Sequence, residues 1–99
     1  MDLSNGPDSA RRQALDAACE RIRRYVVVSF RDGRADGIDR STPLVSSGIV
    51  DSAGVLQLVD WLESSFGISI PDDAVGIENF DSLDALARLV LECSDRSKA

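Results

Sequence analysis

The neighbouring residues Asp51 and Ser52, which precede an apolar helical pattern, are the first candidates for chemistry in this sequence. A serine hydroxyl becomes a nucleophile when a base removes its proton, and histidine is the most common base. The sequence contains no histidine, which excludes Ser-His-Asp and Cys-His catalysis and histidine-bound zinc. By itself, an Asp-Ser pair before a helix is a typical helix cap, because its side-chain oxygens accept hydrogen bonds from the first backbone amides.

The two cysteines, Cys19 and Cys93, lie far apart in sequence, and each falls among apolar residues of a helical pattern. Neither belongs to a Cys-x-x-Cys pair, so the spacing does not indicate a metal or redox site. We interpret them as two reduced thiols of the core. A disulfide between the first and last helices is the alternative.

The charges are distributed unevenly along the 99 residues, of which 28% are charged and 43% hydrophobic. Residues 41–87 contain eight acidic side chains and no Lys or Arg, whereas residues 1–40 contain eight arginines and seven acids. This acidic segment argues against a nucleic-acid partner, whose phosphates require cations. It favours a protein partner with a basic patch, although an ordinary solvated acidic surface would have the same composition.

The length and hydropathy of the chain predict a single small domain. No apolar run approaches the roughly 18–20 residues that span a bilayer, and the first residues have neither the basic nor the apolar region of a signal peptide. We therefore expect no membrane partner, a cytoplasmic location and a monomer. The expected limits are a flexible tail over residues 1–8, a domain over 9–94 and a second tail over 95–99.

The helical periodicity predicts an all-α bundle with three longer helices and one short helix. The first helix is expected over residues 9–30 and the second from Ser52 to about Phe66, with a long irregular loop between them. Gly67 is a natural C-terminal stop for the second helix. A short third helix is expected to begin at Pro71, and Asp81 or Ser82 is expected to cap the last helix.

Three motifs resemble those of the acyl carrier protein family, which includes the peptidyl carrier domains. They are Gly48-Ile49-Val50-Asp51-Ser52, Leu62-Glu63-Ser64-Ser65-Phe66-Gly67-Ile68 and Phe80-Asp81-Ser82-Leu83-Asp84-Ala85-Leu86. The resemblance covers about residues 10–93 and implies the four-helix carrier fold.

The family resemblance implies that Ser52 receives a 4′-phosphopantetheine group from coenzyme A through a separate phosphopantetheinyl transferase. Asp51 would help the transferase to recognise the site. The free amides and the positive dipole end of a helix favour an attached phosphate. The arm ends in a thiol that carries cargo as a thioester between cargo-loading and cargo-accepting enzymes, so the protein itself is expected to be no enzyme.

The second helix is expected to turn one face toward the core and the other toward partner enzymes. The predicted core face consists of Val55, Leu56, Val59, Leu62 and Phe66, which we interpret as ordinary packing, with a cargo pocket as the alternative. The predicted partner face consists of Ala53, Gly54, Gln57, Asp60, Trp61 and Ser64. An exposed Trp61 is a binding hot-spot candidate, but the same side chain can pack into the core, and both interpretations stay open.

Ala53-Gly54 replaces the leucine that many family members have after the modified serine, and the partner face is less acidic than in fatty-acid carriers. The resemblance therefore favours a discrete carrier of a secondary-metabolite pathway, of polyketide or nonribosomal type, over a fatty acid synthase carrier. The alternative function is a helical adaptor with the same fold that never bears the arm and binds partner proteins through the acidic segment.

Overall fold

The structure is a computed structural model that describes the backbone of residues 7–34 and 37–97 and the side chains of 9–34 and 37–94. Its first helix, α1, spans Pro7–Phe30 and begins two residues before the predicted start. Val26 and Val27 are buried, and the β-branched run stays helical. The predicted domain limits remain a prediction, and residues 1–6, 98 and 99 of the predicted tails lie outside the described residues.

The second helix, α2, spans Ser52–Phe66 as predicted. Gly67 ends it in the left-handed conformation, with φ 65° and ψ 40°, and its backbone N–H donates to the carbonyl of Glu63. This conformation is accessible to glycine at little cost, because glycine has no Cβ.

The predicted core face of α2 is rotated relative to the real one. The fully enclosed positions are Gly54, Leu58 and Leu62, whereas the side chain of Leu56 is 66% exposed. The prediction that Leu56 faces the core and Gly54 faces solvent is therefore wrong. Apolar residues occur on most of the helix circumference, so periodicity alone did not fix which stripe would be buried.

Gly54 is buried because α1 approaches α2 closely at this position. A Cβ added to Gly54 would lie 2.8 Å from Cε1 of Phe30 and 3.0 Å from Cγ1 of Val50. Both distances are below normal carbon–carbon contact. The glycine after Ala53 thus has a packing role, since it makes room for the Phe30 ring beside the start of α2.

The short third helix is split into two turns. A 3₁₀ turn spans Asp72–Ala74, and α3 spans Ile77–Phe80. Val75 and Gly76 between them are extended. The segment that begins at Pro71 is therefore not one continuous helix. The last helix, α4, spans Leu83–Ser97, and its cap is Ser82, whose hydroxyl accepts a hydrogen bond from the amide of Ala85 at 3.1 Å.

The elements form an all-α bundle, with no strand among the described residues. α1 packs most extensively against α4, and segments of the long loop complete the core. The most completely buried large side chains are Ile22, Val26, Leu44, Val50, Leu58, Leu62, Phe80, Leu83 and Leu86. The four-helix carrier architecture is confirmed.

Cys19 and Cys93 are both buried and are not joined in a disulfide, which agrees with the interpretation as core thiols rather than with the disulfide alternative. Burial raises the pKa of the Cys19 thiol, which donates to the carbonyl of Leu83. A buried thiol of raised pKa is a poor nucleophile. No described helix is long and apolar enough to cross a membrane.

The observed orientation of α2 predicts that a Leu→Ala change lowers the free energy of unfolding much more at Leu58 than at Leu56, two residues away. Leu58→Ala should lower the free energy of unfolding by about 2–5 kcal/mol, because it removes a buried side chain and leaves a cavity. Leu56→Ala, the matched control, should cost less than about 0.5 kcal/mol, as expected for an exposed site. Urea unfolding followed by circular dichroism measures both, and equal losses would contradict the observed orientation.

Candidate functional site

Asp51 and Ser52 lie at the start of α2. Asp51 is extended, with φ −90° and ψ −174°, and its carboxylate accepts a hydrogen bond from the amide of Gly54 at 2.8 Å. Its carbonyl accepts the amide of Val55 at 2.9 Å. Asp51 is therefore the N-cap, as the sequence indicates. Ser52 is the first helical residue, and its side chain is exposed, as is that of Ala53.

This helix start suits an attached phosphate group. The amides of the first helical turn have no carbonyl within the helix to bind, and they lie at the positive end of the helix dipole. The Asp51 carboxylate binds the amide of Gly54. The amides of Ser52 and Ala53 have no such cap. The helix start is therefore a local source of positive potential at Ser52.

A closed turn, residues 44–50, leads directly into Asp51. Its ends meet through the amide of Val50, which donates to the carbonyl of Leu44 at 2.9 Å, and a second bond joins the amide of Gly48 to Val45. Leu44 and Val50 are fully buried and anchor both ends of this turn in the core. Gly48 has φ 86°, a conformation that glycine adopts without strain.

Asp81 holds this turn against the N-terminal end of α4. One carboxylate oxygen accepts the amides of Val45 and Ser46, each at 2.8 Å, and the other accepts the Ser46 hydroxyl at 2.7 Å. The backbone carbonyl of Asp81 accepts the amide of Leu44 at 2.8 Å. The hydrogen bonds of the Ser46 hydroxyl and amide, followed by that of Val45, lower the pKa of Asp81. Sequence reasoning missed this role and offered Asp81 only as a cap.

Arg40 fixes the middle of the same loop. Its guanidinium donates to Asp84 at 2.7 Å and pairs with Asp16 of α1, and its carbonyl accepts the amide of Asp84 at 3.1 Å. Both hydrogen bonds to carboxylates raise the pKa of Arg40. Arg23 of α1 also donates to the carbonyl of Ile38 at 3.3 Å. The loop is thus attached to α1 and α4 before it reaches Ser52.

Trp61 is partly buried in the seam between α1 and α2. Its ring stacks on Tyr25 with centroids 4.3 Å apart and planes 14° apart, and meets Phe66 edge-on at 5.8 Å. The Tyr25 hydroxyl accepts a hydrogen bond from the Gln57 side chain at 2.9 Å. The structure therefore supports the packed alternative for Trp61.

The exposed face of α2 begins at Ser52 and continues along the helix. Of the predicted partner residues, Ala53, Gln57, Asp60 and Ser64 are exposed, Gly54 is buried and Trp61 is partly buried. Leu56, which sequence reasoning assigned to the core, belongs to this face, one turn after Ser52. We call Ser52, Ala53, Leu56, Gln57, Asp60 and Ser64 the exposed face of α2. Among the described residues, no group of His, Cys, Asp and Glu could hold a metal ion.

An all-α bundle that presents a hydroxyl at an open helix start defines a carrier-type protein. Residues 31–90 match the family described as phosphopantetheine attachment site. The chain is also 36% identical over 66 residues to "Probable acyl carrier protein PigG" of Serratia sp. (strain ATCC 39006). The aligned region covers 67% of this chain and 76% of that relative. The chain belongs to the acyl carrier protein family, and its cofactor is a covalently attached 4′-phosphopantetheine.

The fold is similar to a chain of a solved structure titled "Crystal structure of FAD-dependent dehydrogenase". The TM-score is 0.63 and the identity 29%, and the similarity covers 69% of this chain and 96% of that chain. This agreement shows that the helical arrangement found here also occurs in a solved structure.

Truncation of Trp61 tests its structural role. Trp61→Ala should lower the free energy of unfolding by about 1–3 kcal/mol, because it removes the stacked ring and its buried area. Trp61→Phe, which keeps a ring against Tyr25, should lose clearly less. Chemical denaturation of both variants is the measurement. An unchanged stability of Trp61→Ala would contradict this structural role.

Proposed function

We propose that Ser52 is the residue to which 4′-phosphopantetheine is attached, and that the protein delivers tethered acyl or aminoacyl groups to biosynthetic enzymes. The observation that carries the proposal is the exposed Ser52 side chain at the first position of α2, within the stretch that matches the attachment-site family. When bound, the arm supplies a terminal thiol that holds the cargo as a thioester.

The attachment reaction requires little from this chain beyond presentation of the hydroxyl. The Ser52 oxygen forms a bond to the phosphorus of the pantetheine phosphate of coenzyme A. The bond from that phosphorus to the adenylate half breaks, and the hydroxyl proton passes to a base. We propose that the transferase supplies this base. The first turn of α2 would favour the charge of the attached phosphate, and Asp51 keeps the helix start formed.

The protein acts as a substrate and shuttle for other enzymes, with no catalysis of its own. Its partners are a phosphopantetheinyl transferase and the enzymes that load and accept the cargo. The similar solved structure is titled as an FAD-dependent dehydrogenase, so a flavin-dependent dehydrogenase that oxidises tethered cargo is the first class of accepting enzyme to test.

The pathway we propose is a secondary-metabolite pathway of polyketide or nonribosomal type. The exposed face of α2 contains one acid, Asp60, and one large apolar side chain, Leu56. This composition favours partners that bind through apolar contact with a modest electrostatic component. A cytoplasmic monomer is the proposed form, and the two buried cysteines, which are not joined in a disulfide, agree with a reducing compartment.

Modification of a single serine is the central prediction. Incubation with coenzyme A, Mg²⁺ and a broad-specificity transferase should raise the intact mass by one phosphopantetheine group. Ser52→Ala should abolish this gain, because it removes the attacking oxygen. Ser69→Ala, which removes another exposed hydroxyl outside the turn 44–50 and outside the exposed face of α2, should be modified as fully as the wild type. Intact-protein mass spectrometry provides the measurement.

Two other outcomes are informative. A mass gain that survives in Ser52→Ala would place the arm on another residue. A folded wild-type protein that gains no mass with any transferase would favour the adaptor function, in which the same fold binds partners without an arm.

Leu56 is proposed as the apolar centre of the partner face. Leu56→Ala should raise the KM of the transferase for this protein by about tenfold, the effect of losing roughly 1.4 kcal/mol at a hot spot. Val28→Ala is the matched control, because Val28 is 69% exposed on α1 and lies outside the exposed face of α2. Steady-state kinetics with both variants measures the change, and equal effects would contradict a specific role for Leu56.

A further inference from the structure

The carboxylate of Asp81 makes a set of contacts that the carrier function does not by itself explain. It lies just before α4, far from Ser52 in sequence, yet it accepts three hydrogen bonds from the turn 44–50 that leads into α2. The helix-capping role at this corner belongs to Ser82, whose hydroxyl binds the amide of Ala85. The Asp81 side chain is thus committed to the turn.

We propose that Asp81 is a positioning residue for the attachment of the arm. Its carboxylate holds the turn 44–50 in the conformation that presents Ser52 to the transferase. This inference rests on the proposed function, and it adds a residue outside the attachment motif whose effect on the reaction is indirect.

Hydrogen-bond geometry provides the first argument. Two successive amides, those of Val45 and Ser46, converge on one oxygen at 2.8 Å, and the Ser46 hydroxyl binds the other oxygen at 2.7 Å. Hydrogen bonds to an ionised acceptor are shorter and stronger than those between neutral groups. The side chain therefore defines the backbone conformation of the turn at two neighbouring residues.

The connection to Ser52 provides the second argument. The turn closes through the bond between the amide of Val50 and the carbonyl of Leu44, and Asp51 follows Val50 directly. A change in the conformation of residues 45–49 therefore alters the backbone direction at Val50 and, with it, the orientation of Asp51 and Ser52. The fully buried side chains of Leu44 and Val50 keep both ends of the turn in the core, so loss of the carboxylate loosens the turn without releasing the loop.

Removing the carboxylate should therefore lower the fraction of molecules that present Ser52 correctly. The KM of an enzyme for such a substrate rises in inverse proportion to the competent fraction, whereas the maximal rate is preserved. We expect the transferase to bind only molecules that present Ser52 correctly. For Asp81→Ala, its KM should therefore rise about tenfold with kcat unchanged. Steady-state assays with coenzyme A and a broad-specificity transferase give both constants.

Two variants separate positioning from general destabilisation. Asp81→Asn keeps an acceptor oxygen for the two amides and an amide group opposite the Ser46 hydroxyl, so it should restore a KM within about threefold of the wild type. Ser82→Ala removes the real cap of α4 and destabilises the same corner. It should leave KM unchanged at a temperature where circular dichroism shows both alanine variants to be folded.

Amide hydrogen exchange tests the geometry without any transferase. In the unmodified protein, Asp81→Ala should accelerate exchange at Val45 and Ser46 by at least about tenfold, because both amides lose their acceptor. Exchange at Leu58 in the core of α2 should change much less. Exchange rates therefore test whether Asp81 holds the turn 44–50 even if Asp81→Ala is too unstable for the transferase assay.

The outcomes distinguish this inference from the proposed function. A wild-type protein that is modified at Ser52 while Asp81→Ala shows the wild-type KM would overturn the positioning role and leave the attachment site intact. A KM increase in Ser82→Ala equal to that in Asp81→Ala would also overturn it. Absence of modification in the wild type would instead contradict the proposed function, and the exchange rates would then still report whether Asp81 holds the turn.

Discussion

The attachment of the segment 31–51 to the N-terminal end of α4 determines where α2 begins. Ordering so long an irregular segment costs conformational entropy at every residue, and this cost must be offset by contacts within the segment. Carboxylates at the start of α4 make these contacts, since Asp81 binds the turn 44–50 and Asp84 binds Arg40. The same carboxylates lie at the positive end of the α4 dipole, where negative charge is favoured. Each therefore stabilises both the loop and the helix.

Two kinds of packing stabilise the bundle. α1 and α4 pack closely and share an apolar core. In the seam between α1 and α2, large side chains contribute extensively, with Tyr25 stacked on Trp61 and Arg21 placed 4.2 Å from the centre of the Phe66 ring. At Gly54, the absence of a side chain lets the Phe30 ring approach the helix start. Bulky side chains therefore fill the seam at one end of α2, and a glycine makes room for the Phe30 ring at the other.

Local signals in the sequence predicted the helices and the site motif well. The N-cap at Asp51 and the helix stop at Gly67 both agree with the structure. Each depends on neighbouring residues, and for this reason composition and spacing reveal it. The orientation of α2 was wrong at Leu56 and Gly54, because apolar residues surround the helix and only the position of α1 decides which stripe is buried.

The contacts that secure the loop could not be predicted in this way. Asp81 and Ser46 are distant in sequence, as are Arg40 and Asp84, and pairing between distant polar residues leaves no periodic pattern. Asp81 in particular has the residue type and place of a helix cap, and an equally suitable cap, Ser82, stands beside it. Two adjacent candidates for one capping position leave one side chain available for another task. In this fold the carboxylate of Asp81, which can accept several hydrogen bonds at once, binds the turn, and the hydroxyl of Ser82 caps the helix.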